Sequence, residues 1–142
     1  MIIRNTAGRI AAVCAAVLSA AILAGCATAV KPANPDEAAV KVRATARWDA
    51  LAKRDFQAAY QFLPSSYRAT NTADDYRSRF GSAVVWLGAE PVSADCGPQR
   101  CTVMMDVEAR MVTRGVAGQD FKHGVEETWV KEDGQWWYVI PR

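Results

Sequence analysis

Three features of this 142-residue sequence predict an α+β domain, with N-terminal helices packed on an antiparallel sheet of about four strands. Between Asn34 and Phe80 the apolar residues recur at helical spacing. From Ala83 onward they alternate, or run together as β-branched stretches. Near the end, Asp133-Gly134 separates two aromatic-rich runs, the strongest short hairpin signal a sequence offers. Helices first and strands afterwards is the order of a layered α+β domain.

The first helix is announced by Asn34 as N-cap and Pro35 at the first helical position, where its missing N–H costs nothing, with Glu37 three residues after the cap. Val40, Ala44, Trp48 and Leu51 follow on one face, predicting a helix to about residue 53. The basic series Arg43, Arg47, Lys53 and Arg54 reads as the wet face of this amphipathic helix. Asp55 then caps a shorter helix through Phe56, Ala59, Tyr60 and Leu63, which Pro64-Ser65-Ser66 is expected to end. Thr72, with Asp75 three residues on, opens a third brief helix carrying Tyr76 and Phe80 and stopping at Gly81.

In the sheet, Ala83–Leu87 is the first strand, continued over Glu90–Cys96 after a kink near Gly88. Cys101–Val112 is a long alternating strand, with Thr102, Met104, Asp106, Glu108 and Arg110 on its polar face. Thr113–Gln119 connects to the last hairpin, Lys122–Lys131 and Gln135–Ile140. A two-residue type I′ turn there would set Lys131 opposite Trp136, Val130 opposite Trp137 and Trp129 opposite Tyr138. One hairpin face would carry Val125, Trp129, Trp136 and Tyr138, the other Val130, Trp137 and Val139.

The N-terminus has a different character. Arg4 and Arg9 form a basic head, and Ile10–Leu23 is an uncharged apolar run leading into small residues, the layout of a secretory signal. The run is too short and too alanine-rich for a comfortable spanning helix, which needs about 20 apolar residues. Leu23-Ala24-Gly25-Cys26 resembles the lipobox of bacterial lipoproteins. The resemblance implies a diacylglycerol on the Cys26 thiol, cleavage before it, and acyl chains anchoring the mature chain in a membrane. The expected organisation is a signal over residues 1–25, a lipid-anchored tether over 26–33 and one α+β domain over 34–142. Ala27, rather than an aspartate, follows the cysteine, which among Gram-negative lipoproteins implies the periplasmic face of the outer membrane.

Export governs charge and cysteine usage. Two basic residues and no acidic one leave with the signal, so the formal charge of +2 falls to zero. A neutral domain lacks the electrostatic footprint of a nucleic-acid binder. Cys14 leaves with the signal and Cys26 carries lipid, so Cys96 and Cys101 remain as a pair in an oxidising compartment, where a disulfide is the default. Their C-x4-C spacing is not the redox C-x-x-C, and no second ligand pair suggests zinc.

Two stretches resemble the nuclear transport factor 2-like superfamily: Trp48-x-x-Leu51 with Arg54-Asp55-Phe56-x-x-Ala59-Tyr60, and the closing Glu127-x-Trp129-Val130-Lys131-Glu132-Asp133-Gly134-Gln135-Trp136-Trp137. The resemblance covers roughly residues 36–140 and implies a cone, a strongly curved sheet wrapped around the long helix with a pocket at its open end. Members include ketosteroid isomerases, polyketide cyclases, dehydratases and many non-catalytic binding domains, so fold leaves function open.

An isomerase-type site would need a carboxylate base in an apolar pocket and an oxyanion donor. The available groups are Asp106, Glu108, Glu126, Glu127, Tyr60, Tyr67, Tyr76 and His123, and no spacing singles one out. Asp106 and Glu108 read as solvated, and His123 as a surface residue. Asp74-Asp75 reads as helix capping, and no catalytic residue, metal ligand or cofactor motif is assigned. Trp48, Tyr60, Trp129 and Trp136 read first as core, and are the aromatics that would line a pocket or touch a ligand. The expected function is a non-enzymatic, lipid-anchored envelope lipoprotein binding a protein partner, a second copy of itself or a small apolar ligand. The alternative is a membrane-anchored ketosteroid-isomerase-like or cyclase-like enzyme. A buried carboxylate without a cationic partner would separate the two.

Overall fold

The computed structural model describes residues 34–112 and 118–141. Cys26, the signal over 1–25, the tether over 26–33 and the connector residues 113–117 lie outside the described residues.

Helix α1 spans Pro35–Ala52, and the Asn34 side chain caps it by accepting from the Asp36 N–H. Its C-terminus closes without a glycine. Arg54 takes up a left-handed φ of 57°. The Arg54 N–H then donates to the Leu51 carbonyl and the Asp55 N–H to that of Ala50, the paired bonds of a Schellman cap. Asp55 caps α2 (Phe56–Tyr60) through the Ala58 N–H. The second helix, expected through Leu63, already stops at Tyr60 ahead of Pro64, and Pro64 opens a further turn. Its carbonyl accepts from the Tyr67 and Arg68 amides and starts a one-turn helix, α3, over Ser65–Arg68. The capping box of Thr72 and Asp75 forms and opens α4 (Ala73–Ser78). That helix ends at Arg79 in right-handed geometry, before Gly81 and without using a glycine cap.

Four antiparallel strands follow in the order β1-β2-β3-β4: Val84–Cys96, Arg100–Met111, Asp120–Glu132 and Gln135–Val139. The kink expected near Gly88 is a register shift between Trp86 and Gly88, and a second lies between Pro91 and Ser93. Such bulges bend an edge strand, and Pro91 removes an N–H from it. The last hairpin has the expected register, with Trp129 opposite Tyr138, Val130 opposite Trp137 and Lys131 opposite Trp136. Positive φ at both Asp133 (51°) and Gly134 (76°) makes its type I′ turn.

The sheet curls around α1, because the helix reaches both edge strands. At its start the Asn34 amide donates to the Cys96 carbonyl in β1 (3.3 Å), while Asp36 accepts from the Trp136 indole in β4 (3.2 Å). Further along, Trp48 packs edge-on against Trp86 of β1, and Arg43 Nε donates to the Trp136 carbonyl. Strands lie about 4.8 Å apart, so a flat four-stranded sheet would be wider than one helix could span. The core fills this concavity with Val40, Ala44, Trp48 and Leu51 from α1 and Val103, Met105 and Val107 from β2. Trp129 and Trp136 from the hairpin complete it. Met111, of the same strand parity as Val103, Met105 and Val107, is exposed at the end of β2. A disulfide joins Cys96 and Cys101, which are direct partners across β1 and β2.

Candidate functional site

The most unusual chemistry lies under the helix. Arg47 and Glu127 are buried, at 3 % and 1 % exposure. Arg47 Nη1 donates to Glu127 Oε1 at 2.6 Å, the Trp48 indole to the same oxygen at 2.8 Å, and the Trp129 indole to Oε2 at 3.0 Å. Arg47 Nη2 donates to the Tyr76 hydroxyl (3.2 Å), and the guanidinium lies 3.6 Å from the centre of the Tyr138 ring. Arg47 Nε is buried without a hydrogen-bond partner.

Local sequence dictates the assembly. Arg47 is one position before Trp48 and four before Leu51, so its helical position borders the apolar stripe rather than opposing it. Glu127 shares strand parity with Val125 and Trp129 and so must face the helices. Glu127 is one of the eight groups available for a site, and its spacing does not single it out. Arg47, expected on the wet face of the helix, is instead buried, because its position beside Trp48 turns it toward the sheet. The signal for Glu127 was the same alternation that placed Trp129.

Burial pushes the Glu127 carboxyl up from its ordinary range, while Arg47 and the two indoles pull it back toward the ionised form. Burial likewise raises the phenols of Tyr76 and Tyr138. With both oxygens engaged by three donors, Glu127 would have to surrender a bond before accepting a proton from a substrate.

The other sequence candidates are dispersed. Asp106 is half-buried on the outer face with Lys122 at 3.8 Å, and Glu108, Glu126 and His123 are exposed. Trp48, Trp129 and Trp136 are core residues at 5 %, 0 % and 2 % exposure. Tyr60 is half-buried and donates to the Asn71 carbonyl at 2.6 Å. Trp48 and Trp129 are brought together on Glu127, whereas Trp136 donates its indole to Asp36, which also accepts from Lys131 at 2.7 Å. Among the described residues, no group of three or more His, Cys, Asp or Glu could hold a metal ion.

The surface carries a separate cleft of about 560 Å³ between α3, the end of α4 and the last residues of the chain. Pro64, Val139, Ile140 and Pro141 form apolar walls, and Tyr67 and Arg79 reach its rim. Its size is that of a small-molecule site.

No family model and no curated protein matches the chain. Solved structures do. A SEC-C motif containing protein from Rhodopseudomonas palustris aligns with a TM-score of 0.52 at 18% identity, over 66% of this chain and 70% of that one. A sec-c motif containing protein from Psychrobacter arcticus aligns with a TM-score of 0.51 at 15% identity, over 79% and 63%. The association domain of C. elegans CaMKII aligns with a TM-score of 0.48 at 19% identity, over 75% and 95%. The likeness to the two SEC-C motif proteins is one of fold.

Proposed function

We propose that this chain is a lipid-anchored envelope protein whose nuclear transport factor 2-like domain binds a partner or small apolar ligand without transforming it. The observation that carries the non-enzymatic part is the ion pair at Glu127. It is the one carboxylate fully buried among the described residues, and Arg47 neutralises it while two indoles occupy its oxygens. A general base for proton abstraction needs a free lone pair within reach of substrate. Here the carboxylate instead ties α1 to β3, a structural use of charge.

The anchor part rests on Leu23-Ala24-Gly25-Cys26 and the basic-then-apolar segment before it. Expressed in a Gram-negative host fed an alkyne-bearing fatty acid, the full chain should take up label and fractionate with membranes. Cys26→Ser should abolish both, and label persisting on that variant would overturn the anchor. The isomerase-like alternative draws its one point of support from the raised Glu127 carboxyl. It requires that the full chain isomerise a β,γ-unsaturated ketosteroid above the buffer rate and that Glu127→Gln abolish this. We expect no rate.

A further inference from the structure

We propose that the cleft between α3, Arg79 and the end of β4 is a binding site for a small carboxylate carrying an apolar body. The inference rests on the reading that the domain binds rather than converts its ligand, and it names the ligand's chemistry. Pro64 is buried, Val139 and Ile140 are half-buried, and these residues with Pro141 give the cleft apolar walls on both sides. A body of a few carbons or a single ring would bury its surface there, and a space of about 560 Å³ accommodates it.

The rim supplies one sign of polarity. Arg79 is exposed and forms no ion pair among the described residues. Tyr67 is half-buried on α3, and no hydrogen bond of its hydroxyl occurs among the described residues. Among the described residues, no carboxylate lines the cleft. A planar guanidinium offers two parallel N–H donors, matching a carboxylate in fork geometry, and beside apolar walls that bond is less screened than on open surface. A neutral ligand would leave this cation uncompensated, and a cationic one would be repelled.

The site differs from the buried ion pair in elements and access. It is open, neither Arg47 nor Glu127 lines it, and it is assembled from segments far apart in sequence. Those segments are held by the bond from the Tyr138 N–H to the Phe62 carbonyl (2.8 Å), which docks the strand against the chain leading into α3. A ligand seated here would therefore bridge the helical layer and the edge of the sheet.

The test is calorimetric titration of the full chain in phosphatidylcholine nanodiscs, with empty nanodiscs as the blank. The probes are 3-phenylpropionate, 3-phenylpropan-1-ol and 3-phenylpropylamine, which share one apolar body. The expected order is acid, then alcohol, with no saturable heat from the amine. Arg79→Gln should weaken the acid about tenfold or more and leave the alcohol unchanged. Ile140→Glu, in the wall, should reverse the preference toward the amine, and it stands as an independent test should Arg79→Gln lower the melting temperature. Equal binding of acid and alcohol, or no saturable binding of any probe, overturns the proposal. Chemical conversion of recovered probe would instead overturn the non-enzymatic reading, so the two failures are distinguishable.

Discussion

Replacing Arg47 by methionine should be far more damaging than removing any exposed charge. Methionine preserves the length and apolar stem of the side chain but leaves Glu127 buried without its cation. The carboxylate keeps two indole donors at 2.8 and 3.0 Å and loses the 2.6 Å charge-assisted bond. With side-chain exposures of 4% and 1%, solvent cannot take over the lost role. Breaking a buried pair from one side costs roughly 3–5 kcal/mol. For a domain of this size each kcal/mol shifts the melting temperature by roughly 4–8 °C, so a fall of about 12 °C or more is expected. The assay is thermal and urea unfolding followed by tryptophan fluorescence, on Arg47→Met, Glu127→Leu and the double variant. Removing both charges should recover much of the loss, because the penalty belongs to the unpaired ion rather than to the missing bond. A cost below about 1 kcal/mol for Arg47→Met, or losses that simply add in the double variant, would refute the reasoning.

Reducing the Cys96–Cys101 disulfide, or replacing both residues by serine, should cost only about 2 kcal/mol, since it closes a very short loop; chemical denaturation with and without reductant measures this. Arg54→Gly should stabilise by about 1 kcal/mol, because the φ of 57° is costly for any side chain and free for glycine. Conversely, Gly134→Val at φ 76° should cost about 1–3 kcal/mol although nothing crowds the position, and both changes are read from midpoints of urea unfolding. The hydrogen-bonded carboxyls of Asp36, Asp75 and Asp120 lie below the usual aspartate range in the folded state, held by Lys131, Thr72 and Arg110 respectively. Their stabilisation is therefore present above the unfolded value of about 3.9 and is lost as pH falls through the folded values. Glu127 has the opposite sign, since its raised value favours the folded state most strongly in acid and less as pH rises through it. Melting temperature against pH should thus fall steeply below about pH 4, with a shallower slope in Asp75→Asn.

Period and turn chemistry carried most of the architecture in the sequence. Asn34, Asp55 and Thr72 each cap the helix they announce, because short polar side chains satisfy helix-start amides whatever the tertiary context. Asp133-Gly134 set the hairpin register to the residue, since both take the positive φ that a two-residue type I′ turn requires. Two kinds of information were illegible. One is the turn of α3 after Pro64, which has no side-chain cap to announce it and lies beside the Phe62 carbonyl that receives the Tyr138 amide, a bond between residues distant in sequence. The burial of Arg47 and Glu127 was hidden for another reason. Each lies on the inner face by position, yet a lone charge there would be prohibitively costly, so neither placement is credible until the other is known. A pair separated by 80 residues supplies no local sign of its partner. The cleft at Arg79 was illegible in the same way, because its walls come from two regions that meet only in the folded chain.

The embrace of α1 by both edge strands also constrains how the molecule comes into being. The helix is the first element of the domain to be made, yet its partners at Cys96 and Trp136 lie 62 and 100 residues downstream of Asn34 and Asp36. Until β4 arrives, the apolar stripe of Val40, Ala44, Trp48 and Leu51 lacks one wall of its enclosure. Closing such long loops is slow, so the folding rate should be set by the final hairpin rather than by helix formation, which is complete in microseconds. A chain truncated before Gln135 would then be a helix in search of a cover, prone to bind other apolar surfaces.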